Sequence, residues 1–164
     1  MVLAMIFVQD IKSRSVYWLL FPLLVIGFLL QRISLQAIGD IWPSVLANTG
    51  FLGVQLLLVS AWFSMRNGRW TDITESMLGW GDILFLAAAA FGLSVFNFIL
   101  FYITSLLLVI IYWILFCLVS RKPEGQIPLA GLQALLLAIA VGCDRWLLPL
   151  DLTNDQWILN MIMP

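Results

Sequence analysis

Long apolar runs separated by short polar stretches make up most of the chain. The runs cover roughly residues 1–10, 16–30, 44–64, 82–97, 99–119 and 127–148. Each run is predicted to be a helix, because an open strand edge leaves backbone polar groups unsatisfied in lipid. A spanning helix uses roughly 20 residues, so the pattern predicts an all-α, polytopic membrane protein of about six transmembrane helices. The first run is short, and it either continues through Asp10 toward Arg14 or begins part-way into the membrane.

The composition agrees with a protein whose solvent is the bilayer. The chain of 164 residues is 63% hydrophobic and 10% charged, with a mean hydropathy of +1.05. A soluble domain is about half apolar and about a quarter charged. Six spans joined by short loops use the whole length, so residues 1–164 are expected to form a single transmembrane domain.

Several classes of chemistry are excluded by the residue types that are missing. The net charge of −1 offers no basic surface for a nucleic acid. The chain has no histidine, which excludes HExxH zinc proteases, Ser-His dyads and histidine proton relays. Cys117 and Cys143 lie in apolar runs without a CxxC motif, so a zinc ribbon is excluded and a disulfide is unsupported. Any hydrolysis must use carboxylates, and we expect no metal or other cofactor.

Basic residues in the predicted loops indicate the orientation through the positive-inside rule. Alternating the loops places Arg32 and Arg145 on one side. The other six of the eight basic residues fall on the opposite side: Lys12, Arg14, Arg66, Arg69, Arg121 and Lys122. That second side is therefore predicted to be cytoplasmic, with both termini outside. The first ten residues have no basic segment and no small-residue cleavage site, so they are not interpreted as a removable signal peptide.

The break between the fourth and fifth runs is very short. It lies near Asn97, between runs 82–97 and 99–119. Two helices joined by so short a turn are expected to form an antiparallel hairpin.

Two acidic residues, Asp10 and Asp82, adjoin apolar runs on the predicted cytoplasmic side. One ends a run and the other begins one, so the two can meet. An ionisable group at membrane depth is costly and by default marks a functional site. A single such residue is equally well explained as a helix N-cap or an arginine partner. Two on one side, with no other candidate chemistry, favour a functional role.

The tetrapeptide before the fourth run sharpens the interpretation of Asp82. It reads Gly79-Trp80-Gly81-Asp82. Glycine permits positive φ and close backbone approach, which would let Asp82 reach a partner or let an extended peptide lie against the backbone. The alternative is a glycine turn with Asp82 as the N-cap of the next helix.

Three segments together resemble the GxGD membrane aspartic proteases, and within them the type IV prepilin peptidases and archaeal preflagellin peptidases. Residues 8–14 (VQDIKSR) are similar to the segment that carries the family's first catalytic Asp. Residues 79–82 match the GxGD motif that carries the second. Residues 126–130 (QIPLA), with Pro128, are similar to the Ile-Pro segment before the family's final helix. The order of these three segments, their spacing and the side of the membrane predicted for them agree with the family pattern over nearly the full chain.

This resemblance implies an aspartic endopeptidase with Asp10 and Asp82 as its catalytic pair, supported by Gly79, Gly81 and Pro128. The implied substrates are pilin-like or flagellin-like precursors, from which a cytoplasmic leader peptide is removed. The implied location is the inner (cytoplasmic) membrane, with the active site facing the cytoplasm. The resemblance indicates no oligomeric state.

The chain also departs from the family pattern. Family members usually have Lys two positions after the GxGD aspartate, where this chain has Leu84, and often Pro where it has Ser15-Val16-Tyr17. The resemblance does not extend to the cysteine-bearing N-terminal domain of bacterial prepilin peptidases, which we do not expect in this protein. A catalytically inactive scaffold of a pilus or secretion system is therefore the main alternative. A small transporter using the Asp pair is a further one, although carboxylates at one face rather than mid-membrane argue against it.

Overall fold

The computed structural model describes residues 1–13, 15–67, 79–119, 129–146 and 151–155. Over these ranges the chain forms six α-helices and no strand. In chain order they are α1 (Val2–Ser13), α2 (Leu20–Leu35), α3 (Ile38–Asn67), α4 (Trp80–Gly92), α5 (Val95–Val119) and α6 (Leu129–Trp146). The predicted all-α class is confirmed.

Two of these helices are long and apolar enough to cross a membrane. They are α3, over Ile38–Arg66, and α5, over Val95–Leu118. Only 17% of the most apolar window in each is buried, whereas the core helix of a soluble protein is mostly buried. The outward side chains of α5 include Leu107, Ile111 and Leu118, all exposed. The apolar parts of α2, α4 and α6 are shorter, so helix length supports two spans directly rather than six.

Several helix boundaries differ from those predicted. The break expected near Asn97 lies at Leu93, which is extended with φ −108° and ψ 148°, and Asn97 itself belongs to α5. Helix α1 continues through Asp10 to Ser13, as the first of the two alternatives for this run predicted. Helix α3 begins at Ile38 rather than near residue 44 and contains Pro43. Pro43 lies in the second turn of α3, where it has no N–H to donate to the carbonyl of Gly39.

The helices alternate in direction, which creates two polar ends. Helix α1 packs most closely on α6, and α2 on α4. Gly131 near the start of α6 contacts Asp10 near the end of α1, so these two helices are antiparallel. The site end contains Asp10, Asp82 and Gly131. The distal end contains the last turn of α2, the residues after α4 and the segment 151–155.

The predicted hairpin of the fourth and fifth helices is not formed. Helix α4 packs mainly against α2 and α3, whereas α5 packs against α6 and α3. Two hydrogen bonds explain the divergence, because Ser94 N donates to Leu152 O at 3.1 Å and Asn97 Nδ2 donates to the same carbonyl at 3.2 Å. The segment 151–155 thus takes part in the connection between α4 and α5.

Small side chains allow α4 to pack closely with its neighbours. Ala88, Ala89 and Ala90 are almost completely buried in one cluster with Phe21 and Phe28 of α2. Small residues at helix contacts let backbones approach in membrane proteins, where van der Waals packing replaces the hydrophobic effect between helices. The alanine run therefore serves packing between helices of this chain.

Among these helix contacts, the closest approach is between Gly92 of α4 and Phe28 of α2. A Cβ at this position would lie 2.7 to 2.9 Å from Cγ, Cδ1 and Cδ2 of Phe28. These are the inner atoms of the ring, which cannot move away without shifting α2. Glycine at this position allows the end of α4 to lie directly against the aromatic ring.

Gly92→Ala is expected to reduce the free energy of unfolding by about 1 to 3 kcal/mol, because overpacking forces side chains and backbone to shift. Thermal unfolding in one detergent measures this. The matched control is Gly27→Ala, where an added Cβ meets nothing within 4 Å. Adding Phe28→Leu to Gly92→Ala should restore part of the loss. Equal melting temperatures for Gly92→Ala and Gly27→Ala would contradict the prediction.

Candidate functional site

Asp10 is the most buried acidic side chain of the site. It lies in the last turns of α1 and is only 8% exposed, although the adjacent Ile11 faces outward. Its Oδ2 accepts a hydrogen bond from the backbone N–H of Gly131 at 2.6 Å. A short bond to a carboxylate is among the strong hydrogen bonds of proteins. Helix α1 therefore carries Asp10 inward against α6.

The first turn of α6 provides the surface on which Asp10 rests. The first N–H groups of a helix have no partner within the helix and favour negative charge. A Cβ at Gly131 would lie 2.9 Å from Oδ2 and 3.0 Å from Cβ of Asp10. Glycine is therefore required at this position for the carboxylate to reach the amide.

Asp82 lies in the first turn of α4. Gly79 is the N-cap of this helix and has φ −65° and ψ 140°. The Asp82 carboxylate turns back toward the Gly79 backbone amide, and it also interacts with the backbone amide of Ala130. This is how the acidic residue of a capping box returns to the N-cap amide. Asp82 is therefore not the N-cap of α4, which was the alternative expectation.

The two glycines of the GxGD tetrapeptide have different surroundings. A Cβ at Gly79 would lie 3.3 Å from Oδ2 of Asp82, tighter than most real contacts. A Cβ at Gly81 would meet only the ring of Phe21, at an ordinary 3.9 Å. Neither glycine has a positive φ. Glycine was expected here for a positive φ or for close approach to the backbone. Only close approach is found, and only at Gly79.

The structure brings the two carboxylates together. Asp10 is close enough to act electrostatically on Asp82. The two interact with consecutive amides of α6, Asp10 with Gly131 and Asp82 with Ala130. Three helices thus converge at one point, two supplying carboxylates and the third supplying N–H donors. Because like charges repel, the two carboxylates do not easily ionise together.

Sequence reasoning missed the part played by Ala130 and Gly131. The sequence feature that could have indicated these amides is Pro128. Proline is favoured at the first position of a helix, so backbone N–H groups without a helical partner follow it. Pro128 itself lies outside the described residues. Leu84, which replaces the family's Lys, is 40% exposed on the second turn of α4.

The described part of the chain contains no group of three or more His, Cys, Asp or Glu residues that could hold a metal ion. Cys117 and Cys143 are free thiols.

No protein-family model, curated protein or solved structure matches the chain. The resemblance to GxGD proteases stays a prediction that depends on residues 8–14, 79–82 and 126–130.

Proposed function

We propose that this protein is a membrane-boundary aspartic endopeptidase in which Asp10 and Asp82 activate water. The observation that supports this best is the meeting of two carboxylates from separate helices at one end of the bundle. Two acidic groups brought together at the end of apolar helices are costly to maintain. Catalysis of amide hydrolysis is a function that makes use of this arrangement.

In the proposed mechanism the pair holds one proton. The ionised carboxylate is the general base that takes a proton from water, and the protonated one donates to the scissile carbonyl oxygen. The water oxygen bonds to the carbonyl carbon as its proton leaves. When the C–N bond breaks, the carboxyl group that took the proton from water gives it to the leaving amine. The hydroxyl formed from the carbonyl oxygen returns its proton to the other carboxylate, so the pair again holds one proton. Since the two groups are coupled, they titrate as a unit. The α6 amides of Ala130 and Gly131 keep both carboxylates in place.

The proposed substrates are precursors with a short basic leader and an apolar helix, as in pilin-like or flagellin-like proteins. In this proposal all six helices cross the inner membrane, and the site end faces the cytoplasm. The short helices α1, α2, α4 and α6 are accommodated by local thinning of the bilayer. The leader would then lie in the cytoplasm beside the carboxylate pair, with the apolar helix remaining in the bilayer.

Cleavage of a prepilin-like precursor by the purified full chain, reconstituted in liposomes, tests the proposal. Mass spectrometry of the products identifies a single cut between the leader and the apolar helix. We expect cleavage without added metal, and equally in the presence of a chelator. Failure of folded wild-type protein to cut any of a panel of such precursors would reject the peptidase.

A second candidate, an inactive scaffold, is favoured by one observation. Both carboxylates interact with backbone amides at the start of α6, so they stabilise the convergence of three helices even without catalysis. The presence of Leu84 where family members usually have Lys also favours an inactive protein. In this case the wild type never cuts, and Asp→Asn variants change only the melting temperature.

A further inference from the structure

The distal end contains a buried arginine that the proposed peptidase does not use. Arg32 lies in the last turn of α2 and is only 1% exposed. The sequence pattern placed it in a predicted loop, on the side opposite the cytoplasm. A charged side chain removed from water is costly unless it is paired and fully hydrogen-bonded, so its partners decide whether the site is complete.

The partners of Arg32 leave its guanidinium incompletely satisfied. Nη1 donates to Leu93 O at 3.4 Å, and Nη2 donates to Thr153 O at 3.4 Å and to Gln36 Oε1 at 3.3 Å. All three acceptors are uncharged, and the distances exceed the usual length of about 2.9 Å. Nε finds no hydrogen-bond partner among the described residues. An unpartnered, buried N–H of a cation is a site for an anionic oxygen.

Arg32 lines a cleft of about 480 Å³ at this end of the bundle. A volume of this size is typical of small-molecule sites. The other polar side chains that line it include Gln36, Asp40, Ser94 and Asp155. The cleft therefore combines one guanidinium with two carboxylates, a mixture suited to a ligand that carries both signs of charge.

The two carboxylates are not equivalent. Asp155 Oδ1 already accepts hydrogen bonds from the Ser94 hydroxyl and from the backbone N–H of Phe96. It also acts electrostatically on Arg32. Asp40 is exposed in the first turn of α3 and lines the same cleft. Asp40 is thus the carboxylate placed to receive a cationic group of a ligand, while the Arg32 guanidinium is the group that attracts its anionic part.

The surroundings of the cleft are apolar. Leu35 lines the cleft and is 63% exposed, and nearby Ile38 and Trp42 are 60% and 55% exposed. Tryptophan is enriched where protein meets the boundary between lipid and water. A ligand in this cleft therefore has its charged part beside Arg32 and Asp40 and apolar side chains next to its exit.

We propose that the distal cleft binds a phosphoethanolamine group, in particular the headgroup of a phospholipid whose acyl chains lie against Leu35. The phosphodiester oxygen accepts from the Arg32 guanidinium, and the ammonium group donates to Asp40. Phosphatidylglycerol carries the same phosphodiester but has no ammonium group to pair with Asp40. A choline headgroup has no N–H to donate. This site is independent of the peptidase proposal and requires only that the chain lies in a bilayer.

Native mass spectrometry of the purified full chain tests the site. The protein is equilibrated with equal amounts of phosphatidylethanolamine, phosphatidylcholine and phosphatidylglycerol of matched acyl chains. We expect phosphatidylethanolamine to be retained roughly tenfold over each of the others, the effect of one charge-assisted hydrogen bond. Equal retention of the three lipids would overturn the proposal.

Variants assign the two contacts. Asp40→Asn should remove the preference over phosphatidylcholine, and Arg32→Lys should reduce retention of phosphatidylethanolamine because lysine lacks the planar set of guanidinium N–H donors. Asp144→Asn, a carboxylate outside the cleft, should retain the wild-type preference. If Arg32→Lys does not fold, Asp40→Asn still tests the proposal, because Asp40 is exposed and its substitution should leave the fold intact. An unchanged preference in Asp40→Asn would overturn the assignment.

A soluble headgroup distinguishes the source of the ligand. Glycerophosphoethanolamine is added to protein in a detergent free of phospholipid, and the melting temperature is measured. A shift equal to that produced by the lipid would assign the cleft to a free phosphoethanolamine compound. No shift from the soluble compound, together with selective lipid retention, supports a lipid site. Cleavage measured on the same preparations reports separately on the peptidase.

Discussion

Asp10→Asn and Asp82→Asn are each expected to abolish cleavage of a prepilin-like precursor, with a fall in kcat/KM of about 10²-fold to 10⁴-fold or more. Asparagine retains an oxygen that can accept the N–H of Gly131 or Ala130, so the three-helix convergence is preserved. It can neither take a proton from water nor share one with its partner. The measurement is the initial cleavage rate in liposomes, with the melting temperature of each variant.

The matched control is Asp144→Asn, which removes a carboxylate near the far end of α6. This variant should cut at the wild-type rate. Because the pair acts as a unit, the double variant Asp10→Asn with Asp82→Asn should be no slower than either single one. Retention of substantial cleavage by a folded Asp82→Asn protein would rule out this residue as a catalytic group.

Gly131→Ala is expected to damage the site through geometry alone. The new Cβ would lie 2.9 Å from Asp10 Oδ2 and 3.0 Å from Asp10 Cβ, so α1 and α6 must separate or the carboxylate must leave the amide. Displacement of a reacting group by about 1 Å can reduce the rate roughly 10²-fold. Overpacking should also reduce the free energy of unfolding by about 1 to 3 kcal/mol. Cleavage rate and thermal unfolding are measured together.

Gly142→Ala is the control for this variant, because it lies on the same helix and an added Cβ meets nothing within 4 Å. It should be at least as stable as the wild type, since alanine favours the helix by up to about 1 kcal/mol. To separate the effect of displacing Asp10 from the effect of lower stability, the rates of the two variants are compared at a temperature well below both of their melting points. Wild-type cleavage by Gly131→Ala at that temperature would contradict a positioning role for this residue.

The helical nature of the chain could be predicted because it depends on local pattern. Apolar runs of these lengths have few alternatives in lipid, and six helices follow them closely. The boundaries were less predictable. Asn97 looked like a turn residue, yet its side chain bonds to the carbonyl groups of Leu152 and Asn154, far along the chain. A contact of this kind leaves no local sequence signal.

The candidate site could be predicted in part for the same reason. Asp10 and Asp82 stand out because charge is rare in apolar runs, and the alternation of helices places both at one end. Gly131 does not stand out, since glycine occurs throughout such sequences for many reasons. Its role follows from the distance between an amide of α6 and a carboxylate of α1, which are separated by 121 positions.

The sequence by itself determined the all-α class, the apolar surface and the two acidic side chains at the ends of their helices, because hydrophobicity and charge act locally. Only the tertiary structure decided that α6 amides hold these carboxylates, that α4 and α5 diverge, and that Arg32 is buried beside a cleft. These features depend on which helices pack together. That choice depends on close contacts such as Gly92 with Phe28 and on hydrogen bonds between residues distant in the chain.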